Sequence, residues 1–124
     1  MCKDCDVYLP NESMSPTNIT PLLKGTVDLL ILQALRQGTC HGYEISRFVH
    51  ERTEGVLAVE DAALYQALHR LEARQWIESE WGLSDNNRRA KYYELTSAGR
   101  RQLRSGTSVW KRYANAVFKV LETP

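Results

Sequence analysis

Apolar residues recur at helical spacing in four stretches of the chain and at strand spacing in one. The first, Leu22 to Gln37, is apolar nearly all round: Leu23, Val27, Leu30 and Ala34 form one stripe, with Leu29, Ile31, Leu32 and Leu35 between them. A helix of that kind is buried on more than one side. In so short a chain, one of those sides is expected to belong to a second subunit. Gly38 is its stop signal. The second helix spans Gly42 to Arg52, with Tyr43, Ile45, Phe48 and Val49 at its apolar positions. The third runs from Asp61 to Glu72, where Leu64, Leu68 and Leu71 fall at i, i+4 and i+7 and define an inner face. Asp61 is the expected cap, because its carboxylate can accept from the first free backbone N–H groups. Away from the leucines lie Ala62, Ala63, Gln66, Arg70 and Arg74, with Tyr65 and His69 on the flank.

A hairpin follows. Trp76 to Trp81 and Lys91 to Leu95 read as strands around the polar turn Ser84-Asp85-Asn86-Asn87-Arg88-Arg89. Ile77, Ser79 and Trp81 share one face, and Tyr93 and Leu95 pack from the returning strand. Tyr92 and Tyr93 alternate, so one is core and the other outward. Val56 to Val59, a short β-rich stretch after Gly55, is expected to form a small third strand beside the hairpin. Thr96 caps the last helix, which runs to about Leu121. Leu103, Thr107, Trp110, Ala114, Val117 and Leu121 recur there at alternating three- and four-residue steps. Such a seam packs against another helix. With no other helix of the chain obviously free to cover it, dimerisation is the reading. Gly106 weakens this helix by roughly 1 kcal/mol relative to alanine and admits a local bend.

A helix followed by a hairpin with arginines at its tip is the shape of a winged helix-turn-helix. The expected fold is therefore mainly α with a small β-hairpin. Residues 1–21 read as a flexible arm, 22–96 as a winged helix-turn-helix, and 97–124 as a C-terminal dimerisation helix. The wing cations Arg88, Arg89 and Lys91 favour phosphate contact over mere solvation of a turn. Tyr65 and Gln66 lie in the first half of the third helix, within reach of base edges, and glutamine can pair bidentately with adenine. Ala62 and Ala63 are small enough for close approach of the DNA backbone. The full DNA-facing set is Ala62, Ala63, Tyr65, Gln66, His69, Arg70, Arg88, Arg89, Lys91 and Tyr92.

Charge refines this picture without overturning it. The 16 basic and 15 acidic residues leave a formal net charge of +1, so no general basicity argues for nucleic acid. The distribution does: Arg88, Arg89, Lys91, Arg100, Arg101, Arg104, Lys111 and Arg112 face only Asp85 and Glu94 in the same segment. Positive potential is thus local. The winged-helix alternative, a protein-binding module that does not touch DNA, is permitted by the near-zero net charge. His41, His50 and His69 have no nucleophile or carboxylate at motif spacing and no phosphate-binding glycine loop exists, so an enzyme is not indicated and no cofactor is implied. Cys2 and Cys5 have the spacing of half a zinc site; Cys40 and His41 are the conceivable complement, but incidental thiols are the favoured reading and no metal is expected. Three cysteines give no disulfide framework. The longest apolar run, Val27 to Leu35, is interrupted by Asp28 and Gln33, so the expected location is the cytoplasm.

From about Leu22 to Leu103 the sequence resembles the PadR family of bacterial transcriptional regulators. The resemblance is carried by Leu29-Leu30-Ile31-Leu32, His41-Gly42-Tyr43-Glu44-Ile45, the run from Leu64 to Glu72, and Arg89-Ala90-Lys91-Tyr92-Tyr93-Glu94-Leu95-Thr96, in that order. Where the family usually has a small Gly/Thr step before Leu-Tyr and a proline after it, this chain has Ala62-Ala63 and Gln66, which bears on the helix start and the preferred DNA sequence. The resemblance implies a dimeric repressor of double-stranded DNA whose affinity responds to a small, often aromatic, effector. A roughly palindromic operator would match such a dimer. Dimerisation is assigned to Leu23, Val27, Leu30, Leu103, Trp110, Tyr113, Val117 and Leu121. An effector is placed at the interface against Trp110 and Ala114, where small neighbours leave room beside an indole.

Overall fold

The computed structural model describes residues 24–124, with side chains from Gly25 onward. The arm expected over residues 1–21, the Cys2/Cys5 pair and Leu23 lie outside the described residues. In chain order the elements are α1 (Lys24–Leu35), β1 (Cys40–His41), α2 (Gly42–Arg52), α3 (Asp61–Ala73), β2 (Ile77–Leu83), β3 (Arg89–Leu95) and α4 (Ser97–Leu121). The strands form one antiparallel sheet in the order β1-β3-β2.

The apolar circumference of α1 is used mostly within the chain. Ile31, Leu32, Ala34 and Leu35 are buried, Val27 and Leu29 pack against the same core, and the helix touches α2, α3, β3 and α4. Ile45 and Val49 of α2 are buried beside it, as are Leu64, Ala67, Leu68 and Leu71 of α3. α2 starts on a capping box: Glu44 N–H donates to His41 Nδ1 at 3.3 Å, and His41 N–H donates to Glu44 Oε1 at 3.1 Å.

Two expectations about the edges of elements are corrected. The third strand is Cys40–His41, paired with Tyr93 and Tyr92, and not Val56 to Val59. Those residues spend their polar groups locally: Leu57 N–H donates to Thr53 Oγ1, and Val59 C=O accepts from Ser46 Oγ. The cap position of α3 is Glu60, without a side-chain hydrogen bond; Asp61 sits one residue too far along to cap and instead places its charge in the first turn, where the helix dipole favours it.

α3 ends in a Schellman motif. Gln75 N–H donates to Glu72 C=O and Trp76 N–H to Leu71 C=O, with Gln75 held at φ 63°. Thr96 closes the same corner from the far end of the hairpin. Its hydroxyl donates to Gln75 C=O at 2.7 Å and accepts from Gly99 N–H at 3.0 Å, while its own N–H donates to Trp76 C=O. Chain reversal, wing base and the α4 cap therefore share one knot of hydrogen bonds.

α4 runs as one continuous helix through Gly106. That glycine serves close approach: a Cβ there would lie 3.0 Å from Leu29 Cδ1 on α1. The first half of the expected intersubunit seam is thus intrachain. Leu103, assigned above to dimerisation, is buried in the chain's own core because α1 covers this end of α4. Gly99 is tighter still, since an added Cβ would stand 2.0 Å from Trp76 C=O. Gly99→Ala is expected to destabilise the fold by about 2–3 kcal/mol, measured by urea denaturation. An unchanged midpoint would mean that the α4 start and the base of the wing are free to separate.

Candidate nucleic-acid interface

With its leucine face buried, α3 turns Ala62, Tyr65, Gln66 and His69 to solvent and leaves Ala63 half-covered. The wing stands beside it. Ladder register puts Ile77 opposite Leu95, Ser79 opposite Tyr93, Trp81 opposite Lys91 and Leu83 opposite Arg89, all on one face of the sheet. At the base this face is core: Ile77 is 1% exposed and Tyr93 5%. Farther out it emerges, with Trp81 at 56% and Leu83 at 66%. The strands are longer than the core beneath them, so one face packs the protein at its base and walls a groove at its tip.

That groove has a volume of about 910 Å³. Its floor and one side come from His41, Gly42, Tyr43 and Arg47 of the α2 start and from Tyr65 of α3; the opposite side is Trp81, the turn, Arg88, Arg89 and Lys91. Tyr65 lies across the α2 N-terminus so closely that a Cβ on Gly42 would come within 2.6 Å of its hydroxyl oxygen. At the tip, Asn87 N–H donates to Ser84 C=O and Ser84 N–H to Arg88 C=O, with Asn87 at φ 61°. A left-handed residue closing such a turn suits asparagine.

The ten residues expected to face DNA do not all meet here. Tyr65, Arg88, Arg89 and Lys91 line the groove. Ala62, Gln66 and His69 are exposed along α3 outside it, beside half-buried Ala63. Arg70 departs from the expectation. It pairs with Asp28 of α1, and Arg74 approaches the same carboxylate at 4.0 Å, so both guanidinium groups are drawn to the α1 side of α3. Tyr92 departs too. Strand alternation puts it on the outer face, where its hydroxyl donates to Leu83 C=O at 2.9 Å and its ring lies edge-on to His41. Tyr93 is the inward tyrosine of the pair; burial, then the Glu72 carboxylate, holds its hydroxyl above the usual tyrosine range.

Glu72 braces the wing against α3. It accepts from Ser79 Oγ at 2.6 Å through one oxygen, and its other oxygen lies 3.7 Å from Lys91 Nζ. Because Ser79 and Lys91 lie on different strands, this one carboxylate fixes the pitch of the hairpin relative to α3. Cys40 and His41, considered as a metal complement, are occupied elsewhere. His41 caps α2, and burial together with the Glu44 carboxylate raises the Cys40 thiol, disfavouring the thiolate a metal needs.

Sequence reasoning put Trp81 on one strand face with Ile77 and Ser79 and gave it no role in the groove, nor any to Tyr43, His41 or Arg47. A usable signal existed for Trp81: Leu83 continues its strand face toward the turn, past any depth that a chain this small can bury.

Three helices carrying a small antiparallel sheet, with a basic hairpin beside the exposed side of α3, define a winged helix-turn-helix. The Transcriptional regulator PadR-like family matches residues 31–105, and the chain belongs to that family. It is 34% identical over 102 residues to an uncharacterized protein of Lysinibacillus sphaericus, covering 82% of this chain and 93% of that one. Among solved structures, a transcriptional regulator from Clostridium thermocellum superposes with a TM-score of 0.73 at 29% identity, covering 80% of this chain and 96% of the other. A PadR family transcription regulator from Clostridium difficile R20291 gives 0.68 at 32% identity, covering 78% and 99%. These relatives make the chain a transcriptional regulator and not an enzyme. Among the described residues, no helix is long and apolar enough to cross a membrane.

The Asp28 pair separates stability from recognition. Arg70→Ala is expected to lower stability by about 1–2 kcal/mol, because a half-buried charge-assisted hydrogen bond is lost. The same loss should appear in Asp28→Ala, and the double variant should cost much less than the two together. Additive losses in denaturation would show that the two groups do not act as a pair.

Proposed function

We propose that the protein is a homodimeric repressor that binds a roughly palindromic double-stranded DNA site and is released by a small, aromatic effector. The carrying observation is the groove that Tyr65 of α3 and the start of α2 share with the wing cations, beside the exposed Ala62, Gln66 and His69 of α3. An α-helix fits the major groove, and phosphates beside it meet Arg88, Arg89 and Lys91. Of the local excess of positive charge, Arg88, Arg89 and Lys91 lie on the wing that would face the duplex, and the other five cations lie on α4. Gln66, exposed in the first half of α3, is the reader of a base edge.

Division of labour between wing and helix is tested by mobility shift at several salt concentrations. Arg88→Ala with Arg89→Ala is expected to weaken binding to all sequences and to lower the salt slope by roughly two, since each phosphate contact releases about one counterion. Gln66→Ala should relax preference at one base pair by about 1–3 kcal/mol. A wing variant that changed specificity while leaving non-specific affinity intact would overturn the assignment. A protein-binding module would show no salt-dependent shift at all.

Dimerisation is assigned to the outer part of α4, where Tyr113, Val117 and Leu121 are exposed at helical spacing with Phe118 beside them. Val27 and Leu30 on α1 are half-buried, and Val27 already packs against the chain's own core. Two reading helices related by a two-fold axis would engage half-sites about one helical turn, ~10 bp, apart or a multiple of it. Val117→Glu with Leu121→Glu is expected to sediment as a monomer and to lose the paired footprint. A wild-type footprint on a single half-site would refute the dimer.

The effector is assigned to the surroundings of Trp110 and the half-buried Ala114. Trp110 donates its indole N–H to Thr26 Oγ1 at 2.8 Å and borders a groove of about 500 Å³ between α1 and α4. A planar aromatic stacked on that indole would act on the contact between the helix assigned to dimerisation and the helix that supports α3. Planar aromatics are expected to quench tryptophan emission and release DNA from the wild type, but not from a folded Trp110→Ala protein. Trp76 and Trp81 also emit, so the difference between the two proteins is the readout.

A further inference from the structure

Trp81 is a large indole with more than half its surface in water, on the groove side of the wing. Core packing does not account for that exposure. What the ring carries is charge: the Arg89 guanidinium carbon lies 4.5 Å from its centroid and Lys91 Nζ lies 6.0 Å away. Lys91 is directly opposite Trp81 in the ladder, and Arg89 is its diagonal neighbour on the same face. The two cations are not equivalent. Lys91 is shared with the Glu72 carboxylate at 3.7 Å and with the Tyr93 ring at 5.9 Å. Among the described residues no carboxylate pairs with Arg89, so the indole is its partner.

We propose that Trp81 is a positioning residue of the DNA interface, a platform that holds the Arg89 guanidinium in the groove for a backbone phosphate. The proposal rests on the DNA-binding reading above. A guanidinium stacked on an aromatic face keeps its N–H donors in its own plane, free for the fork geometry that phosphate accepts. The stack also orders a long side chain before DNA arrives, so less rotamer freedom is lost on contact. Arg88, exposed at the turn with no ring beneath it, lacks this preparation and is the weaker of the two wing arginines.

Two measurements test the platform. In the free protein, the Arg89 Nε–H resonance is expected to show a ring-current shift that disappears in Trp81→Leu and persists in Trp81→Phe. On a random-sequence duplex at low salt, Trp81→Leu should weaken binding by about threefold, the scale of an exposed cation–π contact. Trp81→Phe should restore most of it. Arg89→Ala should cost more, and Trp81→Leu combined with Arg89→Ala should bind no more weakly than Arg89→Ala alone. Losses that multiply in the double variant, or unchanged affinity in a folded Trp81→Leu protein, would overturn the platform while leaving DNA binding in place. Wild-type protein that bound no duplex in a salt-dependent way would overturn the DNA reading, and the platform with it.

Discussion

Burial of α1 is the constraint on which the rest depends. Of the large side chains that are fully buried, Ile31, Leu32 and Leu35 belong to this helix, and they meet Ile45, Leu64, Leu68, Leu71 and Ile77 from the elements around it. Each such side chain contributes roughly 1.5–3 kcal/mol on leaving water, so removing α1 would expose inner faces on every neighbour at once. Its few polar groups are spent on specific partners. Thr26 and Asp28 are two residues apart, which separates them by about 200° around a helix. One accepts from Trp110 of α4 and the other pairs with Arg70 of α3. A single helix thereby fixes both α3 and the long terminal helix.

The angle between α3 and the wing is set by a second, smaller group of contacts. The Schellman corner at Gln75, the Thr96 hydroxyl and the close approach of Gly99 to Trp76 C=O define where the hairpin leaves the body. Glu72 then fixes it from the side through Ser79 and Lys91. Backbone hydrogen bonds at the base restrain direction, and one carboxylate halfway up restrains tilt. Held in both ways, the hairpin has little ordering entropy left to lose when a partner docks in the groove.

Much of this was legible in the sequence because periodicity reports which faces are apolar. The Gly42–Arg52 helix, the leucine face of α3, the Thr96 cap and the extent of α4 followed from spacing and capping chemistry alone. What did not follow were partnerships between elements distant in sequence. Arg70 looked like a DNA-facing cation because nothing local shows that Asp28 stands against it. Val56 to Val59 had strand composition, but pairing with β3 was taken by Cys40 and His41, whose composition gives no hint of a strand. Gly106 read as a weak point in a helix, whereas its role depends on Leu29 of another helix. Trp81 shares its strand face with buried Ile77 yet stands in water, because strand alternation tells which face a residue occupies and not how far the core extends beneath it.

The corrections to α4 also change how the ends of the molecule are connected. A continuous seam from Leu103 to Leu121 would have made the helix an appendage, packed only on a second copy. Instead its first part is core, Trp110 is bonded to α1, and apolar exposure is concentrated beyond it at Tyr113, Val117, Phe118, Val120 and Leu121. The helix is rooted by its first half on α1 and exposed in its outer turns. It continues through Gly106, where a Cβ would lie 3.0 Å from Leu29 of α1. Asp28 of the same α1 pairs with Arg70, and the apolar core packs α1 on α3, so the helix that roots α4 is also the one that holds α3 in place.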